Sequence, residues 1–320
     1  MALSTEMILT LQQLDGVGNK TIFKIADQAS TPITTMESMC KFWKGLKGKK
    51  LQSITADDLE DAHQVALRII SKCKSEDVGI ISFYESIFPE ILKSCVNEEG
   101  KLDPPILLYY RGNLDVLKEP GIAVIGTREP TRNGVLAGKH FSGEFAKRGY
   151  NIVSGLAIGC DTTGHQGALT VGGATTAFLA NGLDWDSIYP KENLDLAKEI
   201  VAKGGLLLSE YPVGQSCGRY GLVARDRLQA GLSYATVVVQ TGVRGGTMHA
   251  VNATIQAKKP LFAVEYKTDE DTSNEKVQGN IKLVKEQKAY ALRSTGIDDA
   301  CSIIEKAHKI FNPVQQQSLF

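Results

Sequence analysis

From about residue 120 to 265 the chain alternates short apolar runs with amphipathic stretches, and this alternation restricts the fold more than any other feature. GIAVIG (121–126), YNIVSG (150–155), ATTAFLA (174–180), GLLLSE (205–210), ATVVVQ (235–240) and PLFAVE (260–265) are short and strongly apolar. Strands buried on both faces read this way. Between them, 133–148, 193–203, 225–232 and 247–257 carry helical patterns, and Asp161 is placed to cap a helix running through Leu169. Strands separated by helices need crossover connections. The expected fold is therefore α/β: a doubly wound, mainly parallel, Rossmann-like sheet. Such sheets bind ligands outside the carboxyl ends of their strands. Two further strands, VGIISF (78–83) and ILLYYRG (106–112), are expected to lead into it.

Residues 1–75 are helical in pattern with no clear strand, which predicts a small helical N-terminal domain. The extended α/β core is expected over 76–310, with 311–320 as a tail. After residue 266 the chain is first polar (KTDEDTSNEKVQGN), then helical. Lys plus Arg equals Asp plus Glu, at 36 each. Global charge therefore attracts no polyanion, and any nucleic-acid site has to be a local basic patch. No run approaches the roughly 20 apolar residues of a bilayer span. The N-terminus has no basic segment followed by an apolar one, so a cytoplasmic protein without a membrane partner is expected. The six cysteines show no CxxC or other metal spacing. They read as reduced, mostly buried thiols, with no metal and no cofactor.

The strand ends carry the notable residues. In GTREPTRNG, Gly126 allows a tight turn, Thr127 follows, and Arg128 supplies a planar guanidinium that can fork onto a phosphate. The helix that follows would add open backbone amides. The alternative is an ordinary strand-to-helix turn with a solvated arginine. SGLAIGCDTTGHQGAL places Ser154 and Gly155 at a second turn, with Asp161 as either cap or ligand contact. His165 there reads as a packed residue rather than a catalyst. YPKEN offers Lys191 and Asn193, with a solvated lysine as the alternative. ARDRLQAGLS puts Arg225 and Arg227 at a helix start, where their charge opposes the dipole unless an acid or phosphate balances it. Gly245-Gly246-Thr247 opens the next helix.

At the N-terminus, LQQLDGVGNKTIFKI has a helix-hairpin-helix pattern, so Gly16, Gly18 and Lys20 form a possible secondary DNA contact or a plain helix–helix turn. KFWKGLKGKK (41–50) mixes five lysines with Phe42 and Trp43, a composition that suits nucleic acid or a solvated helix end. The chain has no P-loop, no GxGxxG after a strand, no GxSxG elbow and no HExxH.

In order and spacing these segments resemble the DprA/Smf family. The match runs through LDGVG, FYESIFPEILKSC, DPPILLYYRGNL, VIGTREPTRNG, VSGLAIGCDTTGHQGAL, NGLDWDSIYPKENLDLA, LLLSEYPVG, RDRLQAGLS and VVVQTGVRGGTMHAVNATIQAKKPLFAV, about residues 8 to 305. The resemblance implies a helical N-terminal domain and an extended Rossmann fold. It also implies single-stranded DNA binding without catalysis, a homodimer, and a RecA-type recombinase as partner in transformation. Gly126, Thr127 and Arg128 match the family's phosphate-binding turn. Lys191 matches its lysine after Tyr-Pro, and Arg225 and Arg227 match its Arg-Asn-Arg run. The chain departs from the pattern at Asp226, where the family has Asn, and at Val223-Ala224, where it has Phe-Pro.

Two other classes stay open at this point: a nucleotide-processing enzyme of the same superfamily, or a sensor of a nucleotide-derived ligand. The hydrolases carry a carboxylate three residues after the Gly-Gly-x-Gly-Thr threonine. Here that position is Ala250, which argues against hydrolysis.

Overall fold

The computed structural model describes residues 2–46, 48, 51–218 and 220–312. Nine strands form one sheet: β1 (Gly79–Ser82), β2 (Leu107–Gly112), β3 (Gly121–Ile125), β4 (Asn151–Ser154), β5 (Thr175–Leu179), β6 (Leu206–Ser209), β7 (Ser233–Val238), β8 (Leu261–Val264) and β9 (Tyr290–Leu292). Their spatial order is β1-β2-β6-β5-β4-β3-β7-β8-β9. All pairs are parallel except β1–β2 and β2–β6. The expected α/β sheet is therefore present, with an antiparallel edge built by the two early strands. The ninth strand was not expected. YAL is short and lies in the region expected to be helical; it pairs with β8, and Leu292 is buried in the core.

Thirteen helices accompany the sheet among the described residues. They are α1 (Thr5–Gln12), α2 (Asn19–Ala26), α3 (Met36–Trp43), α4 (Ala56–Ser75), α5 (Glu90–Lys93), α6 (Arg132–Lys147), α7 (Cys160–Thr170), α8 (Leu194–Ala202), α9 (Gly221–Leu232), α10 (Thr247–Gln256), α11 (Asp269–Thr272), α12 (Gln278–Lys285) and α13 (Ile297–Phe311). Strand side chains alternate between faces. Thus Leu207 of β6 and Ala177 of β5 meet the cluster that holds α1–α4 and α8, while Leu206, Leu208 and Phe178 meet α6, α9 and α13 on the other face. Leu3, Met7, Ile22, Trp43 and Leu59 of the N-terminal segment share one buried cluster with Leu107, Tyr109 and Leu179 of the sheet. The helical segment is thus packed directly onto the sheet. No helix among the described residues is long and apolar enough to cross a membrane.

The strand order sets the location of any ligand. From β3 the chain winds through β4, β5 and β6 in one direction, then returns to place β7, β8 and β9 on the other side of β3. The carboxyl ends of β3 and β7 flank this reversal, where loops diverge to opposite faces and leave a crevice.

Candidate nucleic-acid interface at the strand ends

The crevice is a cleft of 440 Å³, lined by Gly126–Arg128 after β3, by Arg225, Asp226 and Gln229 of α9, and by Arg244–Thr247 before α10. A smaller recess of 130 Å³ continues from it past Gly155 and Tyr189, with Arg128 and Arg225 lining both. Arg128 and Arg244 are exposed. Neither makes a hydrogen bond or ion pair among the described residues, so both guanidinium groups are open to an anion.

Arg225 is different. It is 5% exposed, and its Nε and Nη1 are buried without a hydrogen-bond partner. Two carboxylates stand near it at distances too long for hydrogen bonds: Asp161 at 3.8 Å from Nη1 and Asp226 at 3.5 Å from Nε. The guanidinium lies against Gly155, where a Cβ would come within 1.1 Å of Nη1. Gly155 is therefore glycine because Arg225 takes the space of its side chain. A buried cation with unpaired donors gains strongly from an added acceptor.

Asp161 does not cap α7; Gly159 holds that position. The Asp161 carboxylate accepts from the amides of Gly155 and Ala157 at 3.1 and 3.3 Å. Burial outweighs the Arg225 charge and raises its pKa. Burial likewise pushes Asp226 up to about 6, against the pull of Arg225. His165 is buried and held neutral, its pKa lowered to about 3 by burial, with Nδ1 on Thr175 Oγ1 at 2.7 Å. It is a packed core residue, as its sequence context suggested.

The other expected site residues divide sharply. Gly126, Thr127, Arg128, Gly245, Gly246 and Thr247 line the cleft, and Gly155 lines the recess. Ser154 is buried and donates to Val124 O. Asn193 is buried and donates to Leu156 O and Thr162 Oγ1, tying the Tyr-Pro loop to the second turn. Lys191 is exposed, lies outside the cleft lining and donates to Asp186 O. Arg227 is turned away from the cleft. It forms a two-pronged pair with Glu210 at 2.8 Å per prong and a further pair with Asp103 at 2.7 Å. The helix carrying both arginines starts at Gly221. The dipole argument for their pairing, which assumed a start at Arg225, therefore does not apply.

The amides after Gly126 are also less open than expected. Thr127 N donates to Gln240 O, and Thr131 caps α6 by accepting from Gly134 N. Gln240 in turn bridges to Thr131 through both amide atoms. The two glycine-rich turns interlock: Cys160 N donates to Thr127 O, and Gly159, at φ 87°, lies where a Cβ would meet the Arg128 carbonyl at 2.5 Å. Asn280 of α12 holds the floor, donating to the carbonyls of Val238, Val239 and Val264 and accepting from Thr241 N. Arg244 and Gln229 were not singled out from sequence as site residues, because loop and helix-face orientation decide them; Asp226 stood out only as a departure from the family's Asn.

At the N-terminal hairpin, Gly16 has φ 72° and Gly18 starts α2 without a side-chain cap. Lys20 is exposed. The hollow beside this turn is lined by Asp15, Asp58 and Asp61. In the lysine-rich segment Trp43 is buried, and Lys47, Lys49 and Lys50 lie outside the described residues, as does 313–320 of the tail.

A doubly wound α/β sheet with an arginine-lined crevice at its switch point is the arrangement found here. The family described as DNA recombination-mediator protein A matches residues 79–305, and the chain belongs to it. It is 30% identical over 241 residues to the DNA processing protein DprA of Bacillus subtilis, covering 71% of this chain and 78% of that one. Protein Smf of Synechocystis is 39% identical over 170 residues, which is 52% of this chain and 42% of the relative. The matched region thus spans less than half of that protein's length. Among solved structures, DprA of Streptococcus pneumoniae superposes with a TM-score of 0.70 at 25% identity, covering 93% of this chain and 98% of that one. DprA of Helicobacter pylori, whose structure describes a single-stranded DNA binding mode, gives 0.59 at 27% identity over 72% of this chain and 96% of that one.

Proposed function

We propose that this chain binds single-stranded DNA in the strand-end cleft, without turnover, as a cytoplasmic recombination mediator of DprA type. The observation that carries the reading is Arg225: a buried guanidinium with two unpaired nitrogens, beside an open Arg128, at the switch point of the sheet. Phosphate oxygens supply the acceptors these groups lack. The single-stranded DNA named for the Helicobacter pylori relative supports the same ligand. Ala250, buried where the hydrolases carry their carboxylate, supports binding rather than cleavage. A homodimer, a RecA-type recombinase as partner and a role in transformation are parts of the same reading that rest on family membership.

The test is fluorescence anisotropy of a labelled thymidine oligonucleotide against the full chain, over a series of salt concentrations. Affinity should fall with salt, with a log–log slope of about −0.7 per phosphate neutralised. Arg128→Ala should weaken binding roughly ten- to a hundredfold with unchanged circular dichroism. Arg128→Lys should recover only part of this, because an ammonium lacks the planar fork. Salt-independent binding, a preference for duplex, or wild-type affinity in Arg128→Ala would remove the cleft from the DNA site.

A further inference from the structure

Three arginines in the cleft account for a phosphate. They do not account for the wall formed by Asp226 and Gln229. Gln229 is 2% exposed and lines the cleft. Its Nε2 donates to Asp226 Oδ1 at 3.1 Å, which fixes the amide orientation, since a flip would set two acceptors face to face. Its Oε1 is then a buried acceptor with no donor. Asp226 is an acceptor by nature, and Arg225 Nε, 3.5 Å from it, is a buried donor with no acceptor. The wall therefore presents, in order, one donor and two acceptors: Arg225, Asp226, Gln229. A phosphate, which only accepts, matches the first and is repelled by the second.

Cytosine presents the same order along its pairing edge: an amino donor, a ring-nitrogen acceptor and a carbonyl acceptor. Its complement is guanine, with O6 as acceptor and N1–H and N2–H as adjacent donors. Thymine offers one N–H between two carbonyls, adenine and cytosine one amino group beside bare acceptors, so each would leave a mismatch against this wall. Mismatched buried polar groups are what make hydrogen-bonding sites selective. We propose that the inner wall of the cleft reads a guanine base, with Arg225 Nε donating to O6 and the Asp226–Gln229 edge accepting from N1–H and N2–H. This rests on the cleft being the DNA site, and it makes that site base-selective at one nucleotide while Arg128, Arg244 and Nη1 of Arg225 remain for phosphate. The Asp226 carboxylate has to be ionised to accept from N1–H while it holds the Gln229 amide, and burial raises its pKa to about 6, so the reading holds at neutral pH.

The experiment uses the full chain in competition anisotropy against the labelled thymidine oligonucleotide. The competitors are the four deoxynucleoside monophosphates, and thymidine 12-mers carrying one central dG, dA or dC. The dG competitors should win by roughly tenfold or more, the discrimination of a good bidentate pair. Asp226→Asn should abolish the preference, so that the dG competitors fall level with the others. Gln229→Leu should reduce it, and a thermal melt establishes that each variant is folded. Equal competition by all four bases, or a dG preference that survives in folded Asp226→Asn, would overturn the assignment. Oligonucleotide binding without base preference overturns this inference alone. Absence of oligonucleotide binding overturns the DNA reading, and direct calorimetric titration of the four deoxynucleoside monophosphates then decides the base assignment: a dGMP preference leaves a guanine nucleotide site, and none overturns this inference as well.

Discussion

The strand-end cleft and the N-terminal hairpin both place glycines before a helix, yet they offer an anion opposite surroundings. The cleft gathers Arg128, Arg225 and Arg244 around its opening. The hollow beside the hairpin gathers Asp15, Asp58 and Asp61, with Lys20 outside it. The Asp58 carboxyl is also held below its usual range by hydrogen bonds from the Thr55 backbone and side chain, so it stays charged. Open helix amides contribute a modest attraction. A cluster of like charges outweighs it. The glycine pattern is therefore common to a site and to a plain turn, and the unpaired guanidinium separates them.

Four measurements would break or sharpen this contrast. The largest effect concerns Arg227, which shares a helix with Arg225 but serves the fold. Arg227→Ala strands Glu210 and Asp103 and should cost about 3 kcal/mol of stability, read by denaturant unfolding, while the folded fraction binds oligonucleotide normally. Lost affinity with intact stability would return Arg227 to the cleft. Next, Gly155→Ala puts a methyl where Arg225 Nη1 lies and should weaken binding about tenfold or more by displacing the guanidinium; an unchanged isotherm would show that Arg225 does not touch the ligand.

A smaller, few-fold effect concerns pH. Asp226, raised to about 6, is an anion at neutral pH and loses its charge as pH falls through that value. Affinity for an all-thymidine oligonucleotide should therefore rise as pH drops from about 7.5 to about 5.5, in proportion to the repulsion removed. Asp226→Asn should flatten most of this rise, and a full response in the variant would assign it elsewhere. The smallest effects belong outside the cleft. Lys20→Ala and Lys191→Ala should each change affinity less than about twofold, the range expected of a solvated surface charge. A tenfold loss for Lys20→Ala would put DNA on the hairpin after all.

Much of the sheet was legible because parallel strands buried on both faces leave continuous apolar runs, and six such runs sit where β3 to β8 lie. β9 was not legible: a three-residue strand has no periodicity of its own. The site was half legible. Gly126–Arg128 and Gly245–Thr247 follow strands and had to fall at strand ends. Arg225 and Arg227 were read as a pair, but residues two apart on a helix point to nearly opposite sides. They could not both reach one cleft, and which one does depends on where Glu210 and Gly155 lie in space. Asn193, chosen for its neighbourhood, has both its donors committed to internal partners.

The interlocking of the two glycine-rich turns sets the pace at which a ligand is captured. Thr127 is fastened to Gln240 and to Cys160, Gly159 is wedged on Arg128, and Asn280 clamps the strand ends beneath. Neither turn can swing without pulling the other. An arriving strand thus meets a finished surface and spends little entropy on ordering it. Capture should be a single second-order event limited by diffusion and orientation, rising linearly with protein concentration with no plateau from a slow closing step. What ordering remains falls on the flexible nucleic acid, so the rate of release, rather than the rate of arrival, will distinguish one sequence from another.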